Sequence, residues 1–484
     1  MSRWKNPSPF AAGSAKQILQ KYYNPIAPGF GAIFNRMLSF FYRNNNISGR
    51  NGGGDEALAV RRVVFLQGPA GRTFEKIGRE LTRRGHHVRR VNFNFGDQIF
   101  WRFGGAVAFR SRLRAWPGFF ENLLLRFHAT DIILFGDCRP LHRAAIRVAE
   151  VHAIRVHVVE EGYMRPDWVT FEEGGVNGHS SLPRNPDWYR EKARGLPEPA
   201  TPPAVPGSFR RRAFEDVLYN LSSMAGVWRF PHYATHRPYH QMIEYAGWLR
   251  RLALMRRAKR RAEAAIETLT GNPIFFFPLQ LDCDYQMRVH SPFRAMHLAI
   301  EHVLSSFARR APPAARLVVK LHPLDSGLMN WAGMVGHIAA EFMIAERVTV
   351  LDGGQLAKVL DRSRAVVTVN STVGSEALAR GLPVITLGKA IYDIPGLTFQ
   401  GELDDFWHAA APPDAALFDA FRRVLIDRCL IPGSFFNETG LRLAVEAAIE
   451  RLEAAYARPA SGRAREPAGP VVGSPAPMAV AGRT

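Results

Sequence analysis

Short β-branched and aromatic runs alternate with amphipathic stretches in this chain. The alternation occurs twice, on either side of a Pro-rich and then Arg-rich middle. In the first series, Arg62–Leu66 reads as a strand, followed by the turn QGPAG and a helix from Thr73 to Arg84 that stops at Gly85. Strands follow at His87–Phe93 and Asp131–Phe135, then a helix at Leu141–Val151 and a strand at Ile154–Val159. The run LPEPATPPAVPG closes this series near Gly207. The second series has strands at Ile274–Leu279, Leu317–Leu321, Val348–Leu351, Ala365–Val369 and Pro383–Leu387. Helices are expected at Phe293–Arg309, Leu356–Leu360 and Gly374–Arg380. Strand–helix–strand rhythm of this kind calls for parallel sheets covered on both faces.

At 484 residues the chain is too long for one ordinary core. The expected fold class is α/β and GT-B-like: two Rossmann-like domains, a helical connector and a cleft between them. The expected boundaries are a partly flexible extension over 1–58, a first Rossmann-like domain over 59–207, a basic aromatic connector over 208–265, a second Rossmann-like domain over 266–458 and a disordered tail over 459–484. Within the extension, NNNISGRNGGGD reads as a flexible linker and Ile33–Arg43 as a short surface helix. Charged residues at 22% and aromatics at 11% rule out a chain disordered throughout. Cys138, Cys283 and Cys429 lie far apart, with no CxxC, CxxH or HExxH spacing. That excludes a disulfide framework or a structural zinc site and favours a reducing compartment. The opening MSRWKNPSPF has no apolar core segment, and no run approaches a bilayer span. A cytoplasmic protein, soluble or peripheral to a membrane, is expected.

The formal charge of +20 requires an acidic partner. Residues 208–261 hold twelve Lys/Arg against three Asp/Glu, interleaved with rings such as Trp228, Tyr239 and Trp248. Cations with amphipathic rings suit an anionic membrane surface. They would also suit RNA, but no RNP, KH or helix-turn-helix signature is present, so nucleic acid is not expected. A solvated Arg-rich helical link is the plain alternative.

Four polar clusters fall at expected strand ends, where open parallel sheets bind ligands. Glu160 and Glu161 follow the strand Ile154–Val159; adjacent carboxylates repel, so one can hold its proton and act as acid or base, unless both are simply solvated. PLQLDCDYQ contains Gln280 and Asp284 at QxxxD spacing, and also Asp282-Cys283-Asp284, a weak DxD. Lys320 and His322 in KLHP can hold a phosphate, and an imidazole can protonate a leaving oxygen. VNSTVGSEALARGLPV places Ser371 and Thr372 before a helix start, an anion site or merely a cap, with Glu376 placed for a ribose.

The runs LFGDCRPLHRAAI, VHVVEEGYMRPDWVTFEEGGVNGHSSLPRNPDWY, PLQLDCDYQMRVHSPF, KLHP and STVGSEALARGLPV resemble the capsule polysaccharide biosynthesis/export family, and within it the KpsS-type capsular β-Kdo transferases. That resemblance implies a retaining transferase that moves Kdo from CMP-Kdo to a phosphatidylglycerol lipid at the cytoplasmic face of the inner membrane, beside other capsule assembly proteins. It puts the nucleophile on Asp284 with Gln280 beside it, and the acidic element on Glu160 and Glu161. Lys320 and His322 fall on the nucleotide phosphate, Ser371 and Thr372 before the glycine helix, and Glu376 on the nucleotide ribose. Arg165 and Arg288 are added as guanidinium partners for the Kdo carboxylate. No metal and no other cofactor is expected, because side chains and a helix end already offset the phosphate charge. The competing reading is a non-catalytic export or assembly scaffold.

Overall fold

The computed structural model describes residues 60–235 and 239–457, all in one compact unit. The Asn/Gly-rich linker, the helix expected at Ile33–Arg43 and the tail from Pro459 lie outside the described residues. The first half holds strands β1 (Arg62–Phe65), β2 (His87–Asn92), β3 (Ala106–Ala108), β4 (Asp131–Phe135), β5 (Arg155–Glu161) and β6 (Trp168–Glu173). Its helices are α1 (Thr73–Arg83), α2 (Phe95–Ile99), α3 (Trp116–Phe127), α4 (Pro140–Val151) and α5 (Pro186–Ala193). The connector comprises α6 (Phe209–Ala225) and α7 (Gln241–Glu267).

In the second half come β7 (Ile274–Pro278), α8 (Tyr285–Val289), α9 (Met296–Arg310), β8 (Arg316–Lys320), α10 (Trp331–Glu341), β9 (Val348–Leu351), α11 (Leu356–Arg362), β10 (Ala365–Thr368), α12 (Thr372–Leu378) and β11 (Val384–Thr386). The chain ends in α13 (Leu403–Ala409), α14 (Ala415–Cys429), β12 (Leu430–Pro432) and α15 (Glu438–Ala457).

The two sheets share one plan. The first runs β3-β2-β1-β4-β5-β6-β12 and the second β9-β8-β7-β10-β11. Each therefore contains the doubly wound order 3-2-1-4-5, with every pair in that part parallel. These are two Rossmann-like halves with a helical connector, a GT-B-like arrangement. The central strand β7, IFFFP, is buried throughout, which explains its unbroken apolar run. Phe275 and Phe277 join the cluster around Phe307 and Trp407, while Ile274 and Phe276 face Ala262 and Ile266 of α7 on the other side. The connector is thus anchored to the second sheet by its C-terminal end.

Two strands depart from the parallel plan. β6 pairs antiparallel with β5, and β12 pairs antiparallel with β6. From Leu430 on, a stretch read in sequence as the end of the second half, the chain returns to the first sheet. There α15 packs Leu441, Ile449 and Leu452 against Phe65, Phe74 and Ile77. Among the described residues, no helix is long and apolar enough to cross a membrane.

Candidate active site

Each sheet reverses direction of strand order between its first and fourth strands, and the loops leaving those strands form the crevice. In the second half the two loops are tied together. Gln280 Nε2 donates to Asn370 Oδ1 at 2.8 Å, and the Asn370 N–H donates to Gln280 Oε1 at 3.1 Å. Gln280, expected on the CMP-sugar, is buried with both ends of its amide engaged, so it shapes the crevice from behind. Ser371 Oγ accepts from the Val373 N–H at 3.3 Å and caps α12. The hydroxyl therefore serves the helix, and a helix of seven residues offers only a modest dipole end.

The cationic side of the crevice comes from the end of β8. Lys320 is buried, and its Nζ donates to the Gly353 carbonyl at 2.6 Å. Burial lowers its pKa from the usual lysine range; Asp352 opposes that shift and Arg251 adds to it. Burial, followed by Arg165, pushes the His322 imidazole down to about 4, so the ring is neutral at pH 7. His322 Nδ1 accepts from the Leu324 N–H at 3.1 Å, which puts the ring proton on Nε2. Lys320, His322, Ser371, Thr372 and Glu376 line a cavity of about 430 Å³, and Tyr163 and Arg165 of the first half close its other side.

The first-half wall is built at the end of β5. A Cβ on Gly162 would lie 2.3 Å from the Trp168 carbonyl oxygen, so only glycine lets β5 turn there. Tyr163 then reaches back, donating to Glu172 Oε2 at 3.0 Å and accepting from the Asn177 N–H at 2.7 Å. Glu160 and Glu161 are the last two residues of the strand, so they face opposite sides of the sheet. Glu160 accepts from Asn177 Nδ2 at 2.6 Å. Burial raises its pKa to about 8, with the Asp137 and Asp284 carboxylates adding to the rise. Burial also opposes charge on Glu161, but Arg165 and Arg212 outweigh it and hold that carboxyl below its usual value. Arg165 lies 3.2 Å and Arg212 2.5 Å from it. The leading causes of the rise at Glu160 are burial, Asp137 on the neighbouring strand end and Asp284 across the crevice, rather than the adjacent acid expected from sequence.

Asp284 is half-buried between β7 and α8, and its carbonyl accepts from the Met287 and Arg288 N–H groups at 3.1 and 3.2 Å. Its carboxylate belongs to the second half yet acts on Glu160 of the first, so the crevice brings the two acids together. Asp284, Glu160 and Glu161 sit beside the 430 Å³ cavity and do not line it. Arg288 is exposed and does not line it either, unlike Arg165. The DxD reading loses its first carboxylate, because Asp282 Oδ1 accepts from the Met296 N–H at 2.7 Å and so starts α9. Glu376 pairs with Arg380 at 3.1 Å on the cavity's rim. Sequence reasoning passed over Asn177, Arg212 and Arg251. Arg251 donates to Asp352 at 2.7 Å and to the His322 carbonyl at 3.3 Å, fixing the KLHP loop. Nothing but the surplus of arginine in the connector pointed to it.

Comparison with known proteins places the chain. The family model described as "Capsule polysaccharide biosynthesis protein" matches residues 130–436. The "Capsule polysaccharide export protein KpsS" of Escherichia coli is 34% identical over 382 residues, covering 78% of this chain and 98% of that protein. The "Capsule polysaccharide modification protein LipB" of Neisseria meningitidis serogroup B is 33% identical over 390 residues, covering 78% and 93%. Among solved structures, a Thermosulfurimonas dismutans KpsC β-Kdo 2,7-transferase aligns at a TM-score of 0.38 and 15% identity, over 81% of this chain and 99% of that one. That likeness is too slight for anything about function to rest on it. With the matched region running from β4 to the return strand and so spanning both walls of the crevice, the chain belongs to the capsule polysaccharide biosynthesis protein family.

Proposed function

We propose that this chain is a retaining β-Kdo glycosyltransferase. It takes Kdo from CMP-Kdo to a phosphatidylglycerol-type lipid and so begins the poly-Kdo linker of a capsular polysaccharide destined for export. The observation that carries the reading is the crevice itself: a protonated carboxyl and a second acid stand beside a cavity whose walls carry Lys320, His322 and Arg165. CMP-Kdo presents a single phosphate and a sugar carboxylate. Two cations and a neutral Nε2–H donor match that charge without a metal on the phosphate.

Asp284 attacks the anomeric carbon from below as CMP departs toward Lys320 and His322. Glu160, once deprotonated, then takes the proton of the lipid hydroxyl as that oxygen displaces Asp284. Two inversions give net retention. Glu161 stays an anion and aims Arg165 at the Kdo carboxylate. The membrane side of the reading is supported by the connector. Among the described residues, twelve of the twenty large apolar side chains most open to solvent lie between Phe209 and Met255, beside exposed Arg256, Arg257 and Lys259.

The test is incubation of the purified protein with CMP-Kdo and a phosphatidylglycerol analogue. CMP release with a β-linked product by NMR is expected, and Asp284→Ala should abolish it. Wild-type protein that releases no CMP while still binding capsule assembly proteins would make it the scaffold instead.

A further inference from the structure

Beyond the crevice, four side chains from three separate parts of the chain meet at one point. Asp137 and Cys138 leave the end of β4, His179 comes from the short turn at Asn177–His179, and His290 follows α8 in the other half. One ligand atom from each lies within 4.8 Å of all the others. Asp137 Oδ2 is 3.0 Å from His179 Nδ1, Asp137 Oδ1 is 3.1 Å from Cys138 Sγ, and Cys138 Sγ is 3.3 Å from His290 Nε2. Tetrahedral zinc, with bonds of about 2.0–2.3 Å, separates its ligand atoms by roughly 3.3–3.8 Å, so small shifts would bring these four into its shell.

The surroundings are those of a built site. Asp137, Cys138 and His290 are at most 6% exposed, and only His179 reaches the surface. A Cβ on Gly178 would lie 2.4 Å from His290 Nδ1, so glycine is what allows the turn to close over that ring. The His290 backbone is held by the Lys389 N–H at 2.7 Å and Asn370 Nδ2 at 3.3 Å, and Asp137 also accepts from the Val176 N–H at 3.1 Å. One thiolate, two imidazoles and one carboxylate form a borderline-soft, four-membered set. That set selects zinc over magnesium or calcium and leaves no open position for substrate.

We infer that this chain binds one structural zinc ion through Asp137, Cys138, His179 and His290, and that the ion staples the two halves together across the crevice. Binding releases the Cys138 proton to solvent. Three ligands belong to the first half and one to the second. His290 directly follows α8, whose first turn is built on the Asp284 carbonyl, so the ion holds that helix against the wall carrying Glu160. Such a site does not depend on the sugar chemistry proposed above, and its test is read without any transfer reaction.

The full-length protein, purified without a histidine tag or added metal, should contain about one zinc per chain by plasma mass spectrometry. Stripping with a strong chelator should lower its melting temperature, and Zn²⁺ alone should restore it. Cobalt added to the stripped protein should give a thiolate-to-cobalt charge-transfer band, which needs no variant to be read. Cys138→Ser should lose that band and Cys283→Ser should keep it. His179→Ala, altered at the solvent edge where folding is least at risk, should weaken metal binding roughly tenfold or more. A wild-type protein that is free of transition metal and indifferent to Zn²⁺ would overturn the inference. So would a band or a zinc content undiminished in Cys138→Ser.

Discussion

Glu160 and Glu161 differ by one position along β5, and strand geometry makes that a difference of environment. One turns toward Asp137, Asn177 and Asp284, the other toward Arg165 and Arg212. A general base must be deprotonated to act, and Glu160 is mostly protonated below a pKa of about 8. In the zinc-free protein the rate of transfer should therefore rise with pH along a limb centred near that value, and zinc on Asp137 should move the limb lower by offsetting that carboxylate. Glu160→Gln should remove the limb and lower kcat by about 10²–10⁴-fold, whereas Glu161→Gln should keep the limb and raise KM for the donor as Arg165 loses its partner. A pH–rate profile of the three proteins decides it; an unchanged limb in Glu160→Gln would assign the base elsewhere. His322 contributes in a different way. Already neutral at pH 7, it should add no limb of its own in that range, and His322→Ala should appear as weaker donor binding in calorimetry. These residue types were legible in EEGY and KLHP, because acids and cations at strand ends are uncommon without a use. Their division of labour was not, since it depends on Arg212 and Asn177, which are 51 and 17 residues away from Glu161 and Glu160 along the chain. The Asp137–Cys138–His179–His290 cluster was hidden for the same reason. Its four side chains have no motif spacing, because the fold, rather than the local sequence, brings them together.

At the scale of elements, strands buried on both faces announced themselves: β4 and β7 fall within a residue of the runs that predicted them, because DIILF and IFFFP leave no polar face. Strands recruited by pairing did not. β12 has three residues, and β6, WVTFEE, ends in two acids that read as loop. The connector was legible as basic and aromatic, but not as two functions in one segment. Arg212 and Arg251 turn inward to the site, so these two cations are withdrawn from the outer surface. The outward face is what remains: Trp228 at 75% and Leu249 at 70% exposure, with Arg256, Arg257 and Lys259 nearby along the chain. Binding to vesicles containing phosphatidylglycerol should exceed binding to neutral vesicles and weaken as salt rises. Trp228→Glu with Leu249→Glu should reduce it at least tenfold without altering CMP binding, since neither side chain lines the cavity. Equal binding to both vesicle types, or no change in the double variant, would leave the connector as a solvated link.

At the scale of the whole molecule, the chain crosses between its halves twice, once through α6 and α7 and again through β12 and α15. The last segment is therefore core of the first half although it follows the second in sequence. Ile431, Phe435, Leu441, Ile449 and Leu452 are buried against Val63, Phe65, Phe74, Ile77 and Val169. Arg84 meets Glu453 at 2.5 Å, and Arg451 donates to the Phe171 and Leu430 carbonyls at 3.2 and 2.7 Å. Burying a side chain of that size stabilises by about 1.5–3 kcal/mol, so five of them contribute on the order of 10 kcal/mol to the first half. Ion pairs at the rim add little beside that. Ile449→Ala, with no exposure in the native fold, should cost about 2–5 kcal/mol. The decisive readout is where the loss falls. Hydrogen exchange should accelerate in peptides covering β1, α1 and β4, more than 300 residues upstream of the substitution, while β7 and β8 keep their protection. Equal deprotection of both sheets would show that the halves open as a single cooperative unit. Deprotection confined to β7 and β8 would mean that α15 supports the second half and that the return to the first sheet contributes nothing to its stability.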